Sequence, residues 1–245
     1  MIKKILFKFI LPVLVKITGK IICVLQYKQA SEKKRKLLRI DYPKLAEYLE
    51  IQKENGGLHH DFSGFKLYEL SEFLYVHKPK TILELGGGST TSAFVDYALR
   101  MKDSGVKVKI ISVDESEFFL NQTKMTLKKM YPIDNIDLNF VKSDRQEDSD
   151  GCFYRDIVNI TSKLGTIDLV YVDGPSAQNG IPCKDITLLQ NEIKNILFDH
   201  RTPSVLYCEK YFMSTHSIDR HYSINNDIWI ADQYHHHSKF LKKII

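Results

Sequence analysis

Apolar positions along this chain form short unbroken runs separated by longer stretches of helical period. Ile82, Leu83 and Leu85 make the first run, followed by Val108 to Val113, Ile136 to Val141, Ile167 to Val172 and Ser204 to Cys208. Runs this short, apolar at both odd and even positions, read as strands buried on both faces. Each is followed by an acid at or near its carboxyl end: Asp114 after the second, Asp144 after the third, Asp173 after the fourth and Glu209 after the fifth. The segments Lys66 to His77, Glu117 to Met130, Phe153 to Leu164 and Lys184 to Leu197 carry helical patterns. Strands alternating with helices at this spacing predict an α/β fold, a Rossmann-like doubly wound sheet that is mostly parallel.

The first run closes in Glu84-Leu-Gly86-Gly87-Gly88-Ser89-Thr90. Gly86 and Gly88 permit backbone angles closed to other residues, and Ser89 and Thr90 are suited to capping the helix through Ala93, Phe94 and Tyr97. A strand turning tightly into a helix in this way holds a nucleotide-like ligand, at the carboxyl end of the sheet where Glu84, Asp114, Asp144 and Asp173 would gather. A dinucleotide fingerprint requires a third glycine and a ribose acid about 20 residues on. Here the third glycine is missing, and the strand-end acid Asp114 comes 28 residues after Gly86. This counts against a nicotinamide-dependent oxidoreductase.

The acid-x-Gly-x-Gly-x-Thr pattern and the strand-end acids resemble class I S-adenosylmethionine-dependent methyltransferases, over most of the chain after Gly64. The resemblance implies S-adenosylmethionine as cofactor, with Glu84, Gly86, Gly87, Gly88, Ser89 and Thr90 at its methionine moiety, Asp114 on the ribose and Asp144 near adenine. It also implies a terminal antiparallel hairpin, Asp227 to Ile244, that closes the sheet. The triple histidine His235 to His237 falls in that hairpin, where alternate residues point to opposite faces and do not converge on a metal. His59-His60-Asp61 falls in a region that in this family often folds over cofactor or acceptor; its other reading is a plain loop.

The 245 residues, 43% of them hydrophobic, suffice for one sizeable core, with no Pro- or Ser-rich linker dividing them. Cys23, Cys152, Cys183 and Cys208 show no C-x-x-C spacing and suit a reducing cytosol. The net charge of +5 is unevenly spread: residues 1 to 40 carry eleven Lys or Arg against Glu32 alone, so that segment is +10 and the remainder −5. A cationic end on an acidic globule disfavours a nucleic-acid footprint over the whole domain. Within residues 1 to 28, lysines at 4, 8, 16 and 20 share a slowly drifting helical face, and the longest uncharged stretches are seven residues. Seven is far short of the roughly 20 needed to span a bilayer. Lys8 interrupts the apolar region a secretory signal requires, and no small-x-small cleavage site follows. Division into an amphipathic, membrane-associating segment (1 to 40) and a catalytic domain (41 to 245) is expected, with Lys33-Lys34-Arg35-Lys36 at an anionic leaflet. The alternative is a helix packed on its own domain or on a second subunit of a homo-oligomer.

Methyl transfer asks the protein to position an acceptor and help remove its proton. Asp173, in Val-Asp-Gly-Pro, lies where many of these enzymes keep a catalytic or metal-binding residue; alternatively it only shapes the turn with Gly174 and Pro175. His216 and His221 are further candidate bases, against a reading as solvated side chains. Arg220 suits a phosphate or carboxylate, against an ion pair with Asp219. Related magnesium-dependent O-methyltransferases have an acidic pair after strand five, whereas Glu209 is followed by Lys210. No metal ligand is therefore assigned, and a divalent metal is not favoured. The expectation is O-methylation of a glycan or lipid-linked glycan at the cytoplasmic membrane face, since Val-Asp-Gly-Pro is similar to polysaccharide O-methyltransferases. The alternatives are an NAD(P)-dependent oxidoreductase and a non-catalytic membrane-associated scaffold.

Overall fold

The computed structural model describes residues 31–54, 63–176, 181–199, 202–212, 214–219 and 237–243. Within them lie helices α1 (Pro43–Glu54), α2 (Ser63–His77), α3 (Ser89–Asp103), α4 (Glu117–Met130), α5 (Ile157–Thr161), α6 (Asp185–Leu188) and α7 (Thr202–Phe212). The strands are β1 (Thr81–Leu85), β2 (Lys109–Asp114), β3 (Asp137–Lys142), β4 (Arg145–Glu147), β5 (Cys152–Tyr154), β6 (Leu169–Val172), β7 (Asn195–Asp199), β8 (His216–Asp219) and β9 (His237–Lys243). Seven strands form one sheet in the order β3-β2-β1-β6-β7-β9-β8, and β4 and β5 make a small antiparallel pair. The pairings from β3 to β7 are parallel; β9 runs antiparallel to both β7 and β8. The expected Rossmann-like sheet, mostly parallel with an antiparallel end, is present.

Alternation along the central strands divides the core in two. Ile82, Ile110, Leu169, Tyr171 and Leu197 face the layer that holds α1, α2 and α3. Leu83, Leu85, Ile111, Val113, Val170, Val172, Ile196 and Phe198 face the layer that holds α5, α6 and α7. Successive strand residues point to opposite faces, so strands covered on both sides must be apolar throughout. Strand order reverses between β1 and β6, which puts a crevice at their carboxyl ends.

Three expectations are corrected. The fifth parallel strand is β7, inside the segment read as a helix to Leu197, and Ser204 to Cys208 lies in helix α7. Glu209 is thus a helical residue, and the acid ending the fifth parallel strand is Asp199. Phe153 to Leu164 is not one helix: Cys152–Tyr154 pairs with Arg145–Glu147 before the short α5 begins. The antiparallel end also starts earlier than Asp227, at His216.

Residues 31–41 are helical and pack into the domain. Leu38 and Lys34 are buried, and the Lys34 ammonium donates to Glu69 of α2 at 2.6 Å and lies 4.4 Å from the Phe65 ring centroid. The folded unit therefore reaches back past residue 40 to include Lys34, which is directed inward and not toward a leaflet. The amphipathic segment before residue 31, His59 to Asp61, Arg220, His221, His235 and His236 lie outside the described residues. Among the described residues, no helix is long and apolar enough to cross a membrane.

Candidate active site

The glycine turn between β1 and α3 is fastened from below and from the side. Glu84 is fully buried and accepts hydroxyl hydrogen bonds from Thr90 (2.5 Å), Thr91 (2.7 Å) and Ser112 (2.7 Å). Burial, only partly offset by those donors, pushes its carboxyl up to about 7. Asp114, at the end of β2, accepts the Gly87 amide at 3.0 Å on one oxygen and the Ser116 amide at 2.7 Å on the other. Its burial, with the Glu115 charge a smaller contributor, raises it to about 6. Gly86 has φ +93°, and a Cβ there would stand 2.6 Å from the backbone of Asp173 and Gly174. Only glycine lets the first loop approach the turn after β6 this closely.

A second constellation lies at the ends of β6 and β7. Val172 pairs with Phe198, so Asp173 and Asp199 follow on neighbouring strands. Lys66, in the first turn of α2, donates to Asp173 at 2.9 Å and is hydrogen-bonded to Asp199 as well. Lys66 is 7% exposed; the side chain of Asp173 is 31% exposed and that of Asp199 10%. Burial works against the ammonium charge, but the two carboxylates outweigh it and hold Lys66 well above the usual lysine range. The lysine is therefore a fixed cation, and Asp173 presents the more open side of the pair.

No family model and no curated protein matches the sequence. Solved structures do match in shape. An O-methyltransferase from Bacillus cereus in complex with S-adenosylhomocysteine is 12% identical and aligns over 89% of this chain and 100% of its own, with a TM-score of 0.56. A Klebsiella pneumoniae protein provisionally assigned as an O-methyltransferase is 13% identical over 89% and 99%, with a TM-score of 0.57. The S-adenosylhomocysteine-bound methyltransferase PaMTH1 of Podospora anserina is 12% identical over 82% and 88%, with a TM-score of 0.53. The chain has a Rossmann-like methyltransferase fold. In this methyltransferase fold the glycine turn and Asp114 stand at the strand-order reversal, where such sheets bind ligands.

The residues present fit S-adenosylmethionine. Two amides occupy one acceptor position on each Asp114 oxygen, and a carboxylate has about four in all, which leaves room for the two hydroxyls of a ribose. A Cβ built on Gly88 would meet nothing within 4 Å, so the loop is open on the side away from Glu84. Of the residues the sequence brings to this end, Gly86 to Ser89 follow β1, Asp114 ends β2 and Asp173 follows β6. The side chains of Glu84 and Thr90 face each other beneath the loop. Asp144 lies on the exposed rim after β3, bridged to Lys142 and, at 3.2 Å, to Arg155; the Lys142 contact foremost holds its carboxyl below the usual range.

The structure places His216 elsewhere. It begins β8 at the amino end of the parallel strands, is buried, and its ring nitrogens meet the Ile193 carbonyl (3.0 Å) and the Thr215 hydroxyl (2.9 Å). Sequence reasoning missed Lys66, Asp199 and Glu115, the last accepting the Ser176 amide at 3.1 Å beyond the Asp173 turn. Asp199 has a usable signal, an acid closing the apolar run Ile196 to Phe198. Lys66 shows only as a lysine between Phe65 and Leu67. Among the described residues, no group of three or more His, Cys, Asp or Glu side chains is placed to hold a metal ion.

Proposed function

We propose that the protein is an S-adenosylmethionine-dependent methyltransferase that methylates an oxygen of a glycan or lipid-linked glycan at the cytoplasmic face of a membrane. The observation that carries the cofactor reading is the clamp between the Gly87 amide and Asp114 at the switch point of the sheet. It sets a ribose-binding carboxylate against a loop with open space above Gly88. When bound, S-adenosylmethionine supplies a methyl group on a sulfonium, open to in-line attack by a nucleophile. Asp114 holds the ribose, the turn at Gly86 to Gly88 receives the methionine part, and Glu84 keeps that turn in shape. Asp173, pinned by Lys66 on one oxygen, orients the acceptor hydroxyl and takes its proton.

The acceptor class rests on the similarity of Val-Asp-Gly-Pro to polysaccharide O-methyltransferases and on the six lysines, with no acid, of residues 1 to 30. A lysine-threaded apolar segment would bring the enzyme to a lipid-linked acceptor on an anionic surface. Calorimetry with S-adenosylhomocysteine and, in parallel, NAD tests the cofactor. Micromolar binding of the former supports the reading, and tight binding of NAD in its place overturns it. Transfer of labelled methyl groups from S-adenosylmethionine into the lipid-linked glycan fraction of membranes tests the acceptor. Label found only in other fractions rejects that class.

A further inference from the structure

Two carboxylates brought together at the ends of neighbouring strands, in a partly buried crevice, need a positive partner. A hard divalent ion meets that need with several oxygen ligands. Here the partner is part of the chain. The Lys66 ammonium reaches both Asp173 and Asp199 from the first turn of α2, with its Nζ 5.8 Å from the Tyr171 ring centroid. The anchoring helix is itself held by the buried pair of Lys34 and Glu69.

We propose that Lys66 is a resident cation on the acceptor side of the crevice. Its ammonium holds Asp173 and Asp199 together in the position a divalent metal ion would otherwise take, and so positions Asp173 without metal. Three physical points favour this. The lysine is 7% exposed, so its charge is little screened by water. It contacts one oxygen of each acid, which ties together the ends of two neighbouring strands. It offsets one of the two carboxylate charges and leaves Asp173 the more open of the two acids, which suits a group that must accept a proton from an acceptor hydroxyl. Lys66 acts through Asp173 and is a positioning residue. The inference rests on the proposed methyltransferase reading only for what approaches Asp173; the cation position stands on geometry alone.

Manganese is the probe, because electron paramagnetic resonance counts the free ion. The full-length wild type and Lys66→Arg should bind no manganese at this pair up to millimolar concentration. Lys66→Met should gain one manganese per chain, and Lys66→Met/Asp199→Asn should lose it again, a pattern that a merely structural lysine would not produce. Wild-type binding that disappears in Asp173→Asn overturns the proposal, as does a folded Lys66→Met that binds none. If Lys66→Met does not fold, the wild type and Lys66→Arg decide in the same way. Affinity for S-adenosylhomocysteine, measured on each folded variant, should stay within about threefold of wild type, since the Lys66 ammonium is engaged by the side chains of Asp173 and Asp199. Failure of the wild type to bind it would sink the cofactor reading and leave the manganese result standing.

Discussion

Asp114 shows how much a single side chain carries. Both of its oxygens are engaged by backbone amides, yet each keeps capacity for a hydroxyl donor. Asp114→Ala should weaken S-adenosylhomocysteine binding by about 1.5 to 3 kcal/mol, roughly ten- to a hundredfold, by calorimetry. The ionised form is the one that accepts from both hydroxyls, and burial raises this group to about 6. Affinity should therefore fall as pH drops below about 6. The apoprotein should respond with the opposite sign. Burial raises Glu84 and Asp185 to about 7. Their folded forms thus bind protons that the unfolded chain has released above its ordinary carboxylate range, so stability should fall as pH rises from about 5 to about 7. A melting temperature that climbs across that interval would show that these acids are ionised in the fold. Asp173→Asn keeps the shape of the side chain but removes a proton acceptor. It should leave cofactor affinity unchanged and lower methyl transfer about a hundredfold.

At the level of elements, the turn between β1 and α3 offers a contrast between two glycines. Gly86→Ala sets a Cβ at a positive φ against the backbone of Asp173 and Gly174, and neither side is able to rotate away. A loss of about 2 to 4 kcal/mol in chemical denaturation is expected. Gly88 has φ 168°, which is extended backbone open to any residue, and its Cβ would enter open space. Gly88→Ala should leave stability within about 0.5 kcal/mol and weaken S-adenosylhomocysteine tenfold or more, because that space is where the ligand belongs. The strand-end acids on β1, β2, β3 and β6 were legible in the sequence because buried parallel strands are short, continuous and punctuated. Ser204 to Cys208 misleads because it is also apolar and short. In the structure Val205 and Cys208 are buried while Leu206 between them is 56% exposed, a helical spacing that three apolar residues are too few to reveal. Ile196 to Phe198, buried throughout, is the true strand. Lys66 was beyond reach because it meets its partners across 107 and 133 residues of chain.

At the scale of the whole molecule, the position of residues 31–41 separates two truncations. Removing residues 1 to 30 should leave folding and S-adenosylhomocysteine binding intact. It should also abolish salt-sensitive sedimentation with anionic vesicles if those residues hold the membrane. Removing residues 1 to 40 deletes buried Leu38 and the Lys34 half of a buried ion pair, and should cost several kcal/mol in addition. Equal sedimentation of the full chain and the shorter truncation would assign the segment to the fold or to an oligomer.

The place of β9 sets a clock on biosynthesis. This strand lies between β7 and β8 although it follows both in the chain. While a ribosome is still making residues up to 236, neither β7 nor β8 has the partner that β9 gives it among the described residues. The nascent domain must wait for residues 237–243 to be inserted like the last slat of a blind, and until then the β7 edge that β9 will pair with is a target for chaperones or for self-association. A chain halted before residue 237 should therefore sediment as aggregate when released from the ribosome, whereas one carried past residue 243 should be released as a folded domain.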